Sequence, residues 1–167
     1  AAVSARLEAI RAEILGRRRD PAALAAEVVA MRDKMIAHLS LAADKTASDA
    51  DKAALFDIKH DPGGIVDIEF LVQYLVLRWS SEHPDIARYT DNVRQLEGIA
   101  AAGLLPAADA DLLRTSYLAF RTRAHRLALA SGGSSRVPAG EFATARAAVR
   151  RIWDAVFGGV EHGKPLH

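Results

Sequence analysis

The stretch "FDIKHDPGGIVDIEF", Phe56 to Phe70, decides how the rest of the chain is read. A brief strand-like segment, Leu55 to Ile58, runs into Pro62-Gly63-Gly64, and from Ile65 to Ser80 no helix breaker follows. A doubled glycine ahead of a helix exposes backbone N–H groups, which is the physical basis of anion binding at helix N-termini. The same turn is needed wherever an extended segment bends sharply into a helix. Two readings stand side by side: a phosphate-holding loop with Lys59 and nearby carboxylates, or a turn that starts a buried helix.

Helix geometry constrains the acids. At about 100° per residue, Asp67 and Glu69 lie roughly 200° apart around the axis, so they cannot chelate one metal together. Ile65, Ile68, Val72, Leu75, Val76 and Trp79 cluster on one face, and Val66, Phe70 and Leu77 make the opposite flank apolar. A helix apolar nearly all round is a central one. Asp67 falls on a narrow polar stripe with Tyr74 and Arg78, and Glu69 falls near Gln73. Buried acids paired for structural reasons account for that placement as well as catalysis does.

Working outward, Val3, Leu7, Ile10 and Ile14 recur at helical spacing and predict a helix ending near Arg17-Arg18-Arg19. Asp20-Pro21 restarts the chain with an N-cap and a first-turn proline. The next helix carries Leu24, Val28, Met31, Met35 and Leu39 on one face. Residues 40–54 read as a polar link containing Asp49-Ala50-Asp51, a two-carboxylate pattern with nothing to pre-organise it. Thr90-Asp91 caps a helix over about Asn92 to Ala102, stopped by Gly103. Pro106 opens a long helix to about Ala130, "SGGSSRVP" reads as a flexible break, and a last helix covers roughly Glu141 to Phe157. The fold class expected is all-α, a bundle of about six helices with at most one very short strand near 55–58.

With 167 residues, half of them apolar, the chain is long enough for one sizeable core, and a single helical domain over 1–157 with a frayed tail at 158–167 is expected. Lys+Arg 22 against Asp+Glu 21 gives no bulk field toward nucleic acid or a membrane, so neither is expected as a partner. The absence of cysteine excludes disulfides and thiolate metal sites and makes a reducing cytoplasm the expected compartment. The longest apolar run, around Phe70 to Leu77, is far short of the roughly 20 residues of a membrane span.

On the long helix, Arg114, Arg121 and His125 project along one side beside Tyr117 and Leu118. Such a stripe grips phosphate or carboxylate, or forms a solvated face of weak salt bridges. Packed against Asp67 or Glu69, it would satisfy those acids without any ligand. His125 has no companion at metal-ligand spacing, and neither a nucleophile elbow nor a Gly-x-x-x-x-Gly-Lys loop occurs.

Taken together, "FDIKHDPGGIVDIEFLVQYLVLR", "YTDNVRQLEGIAAAGLL" and "YLAFRTRAHRLAL", in this order, resemble the helical segment after the nucleotidyltransferase domain in the bifunctional glutamine synthetase adenylyltransferase/adenylyl-removing enzymes. The resemblance covers about residues 25 to 130. Val66-Asp67 after the glycines, where the first half of that family is expected to carry Arg-Glu, looks like the second, adenylylating half. The resemblance implies a C-terminal helical fragment of a larger enzyme that transfers AMP from ATP, with magnesium, to a tyrosine of glutamine synthetase. It also implies that the metal-binding carboxylates lie in an upstream α/β domain, so that this piece has no catalytic residue and no activity of its own. Lys59, Gly63, Gly64, Asp67 and Glu69 match the family motif and are expected at the junction with that domain or its substrates; Arg94, Arg121 and His125 match the later helices. Glutamine synthetase, the upstream domain and the PII signalling protein are the partners implied. The competing expectation is a free-standing helical interaction module working through its arginine faces.

Overall fold

The computed structural model describes residues 2–42, 54–131 and 135–159. Within them lie six helices: α1 (Ala2–Leu15), α2 (Pro21–Ala42), α3 (Ile65–Trp79), α4 (Asn92–Ala101), α5 (Ala107–Ser131) and α6 (Ala143–Phe157). A short 3-10 turn spans Pro84–Ala87, and two three-residue strands, β1 (Leu55–Asp57) and β2 (Arg136–Pro138), complete the all-α bundle. Asp49, Asp51 and the tail beyond Gly159 lie outside the described residues.

Local chemistry sets most of the boundaries. The Asp20 carboxylate accepts from the Ala23 N–H at 2.7 Å and Asp91 from the Arg94 N–H at 2.9 Å, each satisfying an orphan donor of a first turn. Gly103, at φ +69°, ends α4 in the left-handed region. Arg19 closes α1 by donating to the carbonyls of Ile14 and Leu15 at 2.7 and 3.1 Å.

Helix α3 is the axis of the bundle, with α2, α4, α5 and α6 packed around it. Ile68, Leu71 and Val72 are fully enclosed, and the buried side chains from Ala25 to Phe157 form one cluster. Phe56 of β1 meets Phe120 of α5 at 6.0 Å, and Phe120 meets Phe142 edge-on at 5.1 Å. At the other end Phe157 sits 4.9 Å from Tyr74 and 4.5 Å from Trp153. Aromatic pairs in these geometries add about 0.5–1.5 kcal/mol each beyond their buried area.

The structure corrects three local expectations. Ser131 to Pro138 is not simply a break, because Arg136–Pro138 pairs antiparallel with Leu55–Asp57, setting Phe56 opposite Val137. Both side chains are buried, and that shared burial specifies a pairing too short to show any period. Helix α2 continues to Ala42, into the stretch read as a link, and among its residues 21–38 the buried ones are Leu24, Ala25 and Val29, while Met31 is 60% exposed. Leu7, Ile10 and Ile14 are likewise exposed, since α1 leans on the Pro84–Ala87 turn through Arg11, which donates to the carbonyls of Arg88 and Tyr89. None of the described helices is long and apolar enough to cross a membrane.

Candidate functional site

The doubled glycine forms a closed turn. Gly63 N–H donates to the Asp67 carboxylate at 2.7 Å, Gly64 N–H to the Asp61 carbonyl at 2.9 Å, Ile65 N–H to Ile58 at 2.8 Å and Val66 N–H to Lys59 at 3.1 Å. The donors that an anion cradle would require are taken up by the turn itself, which corrects the phosphate-loop reading of this backbone. Glycine is required at both positions for physical reasons. Gly63 has φ +87°, and a Cβ there would come within 2.7 Å of Arg146; a Cβ on Gly64 would come within 2.5 Å of the Ile58 carbonyl.

Asp67 is 3% exposed and faces the core. Arg32, on α2, grips it through Nε at 2.8 Å and Nη2 at 3.0 Å, and the Gly63 N–H completes its acceptor set. The Arg32 guanidinium also lies 5.3 Å from the Trp153 ring centre. The basic stripe of α5 therefore does not satisfy Asp67; a residue that showed no signal in the sequence does. Nothing local marks Arg32, because its partner lies 35 positions away.

Asp57 holds the other end of the turn. It accepts from the Ser135 hydroxyl at 2.8 Å, the Lys59 N–H at 2.9 Å and the His60 N–H at 3.2 Å. Burial pushes its pKa up, but these hydrogen bonds and the nearby His60 outweigh it and hold the carboxyl below the ordinary aspartate range. The last residue of β1 is thereby tied to the residue just before β2.

On the opposite flank of α3 an open groove of about 390 Å³ runs between the turn and α5, lined by Lys59, Glu69, Arg121 and His125 over an apolar floor that includes Ile65 and Ala124. Four of the eight residues singled out in the sequence thus meet on one surface. The Tyr117 hydroxyl, buried at the base of this network, orders two of them. It donates to Glu69 Oε1 at 3.1 Å and accepts from Arg121 Nη1 at 3.1 Å and Asn92 Nδ2 at 2.9 Å, which uses its full hydrogen-bonding capacity. The Tyr117 oxygen, with the Glu69 charge nearby, raises the pKa of Arg121 and holds it in its charged form. The sequence placed Tyr117 beside the stripe without revealing it as the hub.

Arg94 does not join this surface. It is exposed on α4, stacked 4.8 Å from the Tyr89 ring centre and 3.8 Å from Asp91. Arg114, a full two turns before Arg121, is held by Asp111 at 2.6 Å. Gly63, Gly64 and Asp67 are interior parts of the turn rather than groove walls.

The chain matches the family model described as GlnD PII-uridylyltransferase over residues 30–149. A bifunctional glutamine synthetase adenylyltransferase/adenylyl-removing enzyme of Pseudomonas aeruginosa is 53% identical over 155 residues, covering 90% of this chain and 16% of the relative. The enzymes of the same description from Pseudomonas putida and Hahella chejuensis are 49% and 43% identical, over 90% and 93% of this chain. The chain spans only 16% of the length of these three relatives. On this evidence of matched residues, with the closed glycine turn and the groove lying inside the matched region, the chain belongs to the GlnD PII-uridylyltransferase family, in a form similar to one portion of the glutamine synthetase adenylyltransferases.

Proposed function

We propose that this chain is the helical portion following the nucleotidyltransferase domain in the C-terminal, adenylylating half of a cytoplasmic glutamine synthetase adenylyltransferase. One observation carries the reading. The matched motif supplies Lys59 and Glu69, a separate matched helix supplies Arg121 and His125, and the fold sets all four around one open groove. In this reading the groove face closes one side of the cleft shared with the upstream domain, glutamine synthetase docks there, and the PII signalling protein acts on the same enzyme.

The reaction proposed for the whole enzyme is adenylyl transfer. A tyrosine oxygen of glutamine synthetase attacks the α-phosphorus of ATP and forms a new P–O bond. The bond from that phosphorus to the oxygen bridging toward the β-phosphate breaks, pyrophosphate leaves with the electron pair, and the tyrosine proton passes to a base outside this chain. Magnesium would offset phosphate charge in such chemistry, but Asp67 and Glu69 do not fit it: the Asp67 oxygens are committed to Arg32 and Gly63, and Glu69 projects elsewhere. In the proposal the metal ligands belong to the upstream domain. This chain's contribution is to orient and neutralise, with Lys59 and Arg121 offering positive charge at a surface where Glu69 is held still by Tyr117.

The test uses the full-length enzyme carrying this chain. Lys59→Ala and Arg121→Ala are expected to reduce transfer of labelled AMP to glutamine synthetase, Lys59→Ala with unchanged thermal melting and Arg121→Ala with a small fall from the lost Tyr117 bond. Undiminished transfer, or labelling of glutamine synthetase by the 167-residue chain unaided, refutes the reading.

A further inference from the structure

Tyr117 stands between two opposite charges that attract each other and yet do not meet. Its hydroxyl lies 3.1 Å from Glu69 Oε1 on α3 and 3.1 Å from Arg121 Nη1 on α5, but among the described residues Glu69 and Arg121 make no ion pair with each other. Elsewhere on α5 an arginine with an acid in reach closes on it directly: Arg114 on Asp111 and Arg123 on Glu141, each at 2.6 Å. The two charges are close enough to be felt, since the pKa of Arg121 is raised first by its bond to Tyr117 and further by the Glu69 charge. The phenol is fixed where it stands. Its side chain is buried, and Asn92 Nδ2 at 2.9 Å and Arg121 Nη1 donate into both lone pairs of the oxygen, which leaves the hydroxyl proton only Glu69 to bond. Glu69 Oε2 and the remaining Arg121 nitrogens make no hydrogen bond with the described residues, and both side chains line the groove.

We infer that Tyr117 is a positioning residue for the proposed transfer: its hydroxyl holds Glu69 and Arg121 one oxygen apart and prevents their collapse into an ion pair that would withdraw both from the groove. A guanidinium fork satisfies a carboxylate completely, so a direct pair would turn an open acceptor and an open cationic edge into a self-contained couple. A neutral phenol bonds the acid on one side and the base on the other without neutralising either. Asn92, from α4, contributes by taking up the second lone pair and so aiming the proton at Glu69. The inference rests on the adenylyl-transfer reading for what the two groups act upon, and on the hydrogen-bond geometry alone for the spacing itself.

Arginine-selective modification with phenylglyoxal tests it in the 167-residue chain, because Arg121 is exposed and its rate of reaction can be read by mass spectrometry of the digested protein. In Tyr117→Phe the two charges should close on each other, and Arg121 should react about two- to fivefold more slowly than in wild type, the protection that a partly exposed ion pair supplies. A purely structural role has the opposite sign, because packing loosened by the lost hydroxyl exposes Arg121 and speeds its reaction. Adding Glu69→Gln to Tyr117→Phe should return Arg121 to the wild-type rate, since the attracting charge is gone. Asn92→Ala removes a different bond to the same oxygen but leaves the spacer, and should keep that rate. Circular dichroism confirms that each variant is folded at the assay temperature. Glu69→Gln alone, which keeps the buried phenol, should leave the rate within about twofold of wild type; a rise of about fivefold would mean that the acid already pairs with Arg121, and overturns the inference. Unchanged or faster reaction in Tyr117→Phe, or protection that persists in the double variant, overturns it as well. AMP transfer by the full-length enzyme separates this from the functional reading: a Tyr117→Phe variant that shields Arg121 but transfers AMP undiminished would leave the spacer standing and remove Arg121 from the proposed reaction.

Discussion

Replacing Asp67 by asparagine gives the sharpest test of the α2–α3 contact. The change keeps the shape of the side chain but turns one carboxylate oxygen into an NH2 group. Asp67 accepts three hydrogen bonds, two from Arg32 at 2.8 and 3.0 Å and one from the Gly63 N–H at 2.7 Å. In the variant, whichever way the amide turns, a donor confronts a donor, and Arg32 loses its close partner, keeping only Asp33 at 3.9 Å. Removing one partner of a buried ion pair costs about 3–5 kcal/mol. The Arg32 side chain is 13% exposed, so water offsets part of its loss and the lower end, about 3 kcal/mol, applies. For a chain of this length each kcal/mol moves the melting temperature by about 2–4 °C, which gives a fall of roughly 6–12 °C. Thermal denaturation of wild type, Asp67→Asn, Arg32→Gln and the double variant would read it, and the double variant should be less damaged than the sum of the singles. Strict additivity, or a melting temperature within about 2 °C of wild type, would show that the pair does not hold α2 to α3. Lost AMP transfer in the full-length enzyme with unchanged melting would move Asp67 into a cleft and refute the core assignment.

Other outcomes follow from neighbouring contacts. Gly63→Ala should destabilise more than Gly103→Ala: both have positive φ, costing about 1–2 kcal/mol for an L side chain, but only Gly63 adds a Cβ at 2.7 Å from Arg146, while Gly103 faces open space. Urea midpoints of the two variants measure the difference. Tyr117→Phe, losing one donor and two accepted bonds in a buried position, should cost about 1–3 kcal/mol by the same assay and should disturb the groove through Glu69 and Arg121. Asp57 has a depressed folded-state pKa, so its contribution is present above the unfolded value near 4 and is lost as pH falls through the folded value. Urea midpoints at neutral pH and about pH 3 should therefore differ less in Asp57→Asn than in wild type; an equal difference would exclude Asp57 from the acid sensitivity.

The parts of the site differ in how legible they were, and the reason lies in range. Lys59, Glu69, Arg121 and His125 could each be named from residue type and motif, yet their meeting at one groove depends on how α3 and α5 are rotated against each other. The apparent anion cradle at Gly63-Gly64 follows from local backbone logic and fails because the Asp67 carboxylate takes the Gly63 N–H and the carbonyls of Asp61, Ile58 and Lys59 take those of Gly64, Ile65 and Val66. Arg94 was placed with the others by similarity of sequence, but α4 directs it toward Tyr89 and Asp91.

By itself the sequence determined the helices, their caps and the centrality of α3, because periodicity, Asp20-Pro21, Asp91 and Gly103 act through neighbours within about one helical turn. It also ruled out one metal shared by Asp67 and Glu69, since the angle between them is a property of the helix alone. Only the tertiary structure decided that Arg32 satisfies Asp67, that Arg136–Pro138 is a strand, that Tyr117 ties α3, α4 and α5 together, and that the apolar faces of α1 and Met31 stay exposed. Each of those depends on which surfaces of distant segments bury together, a choice made by packing of the whole core rather than by any local run of residues.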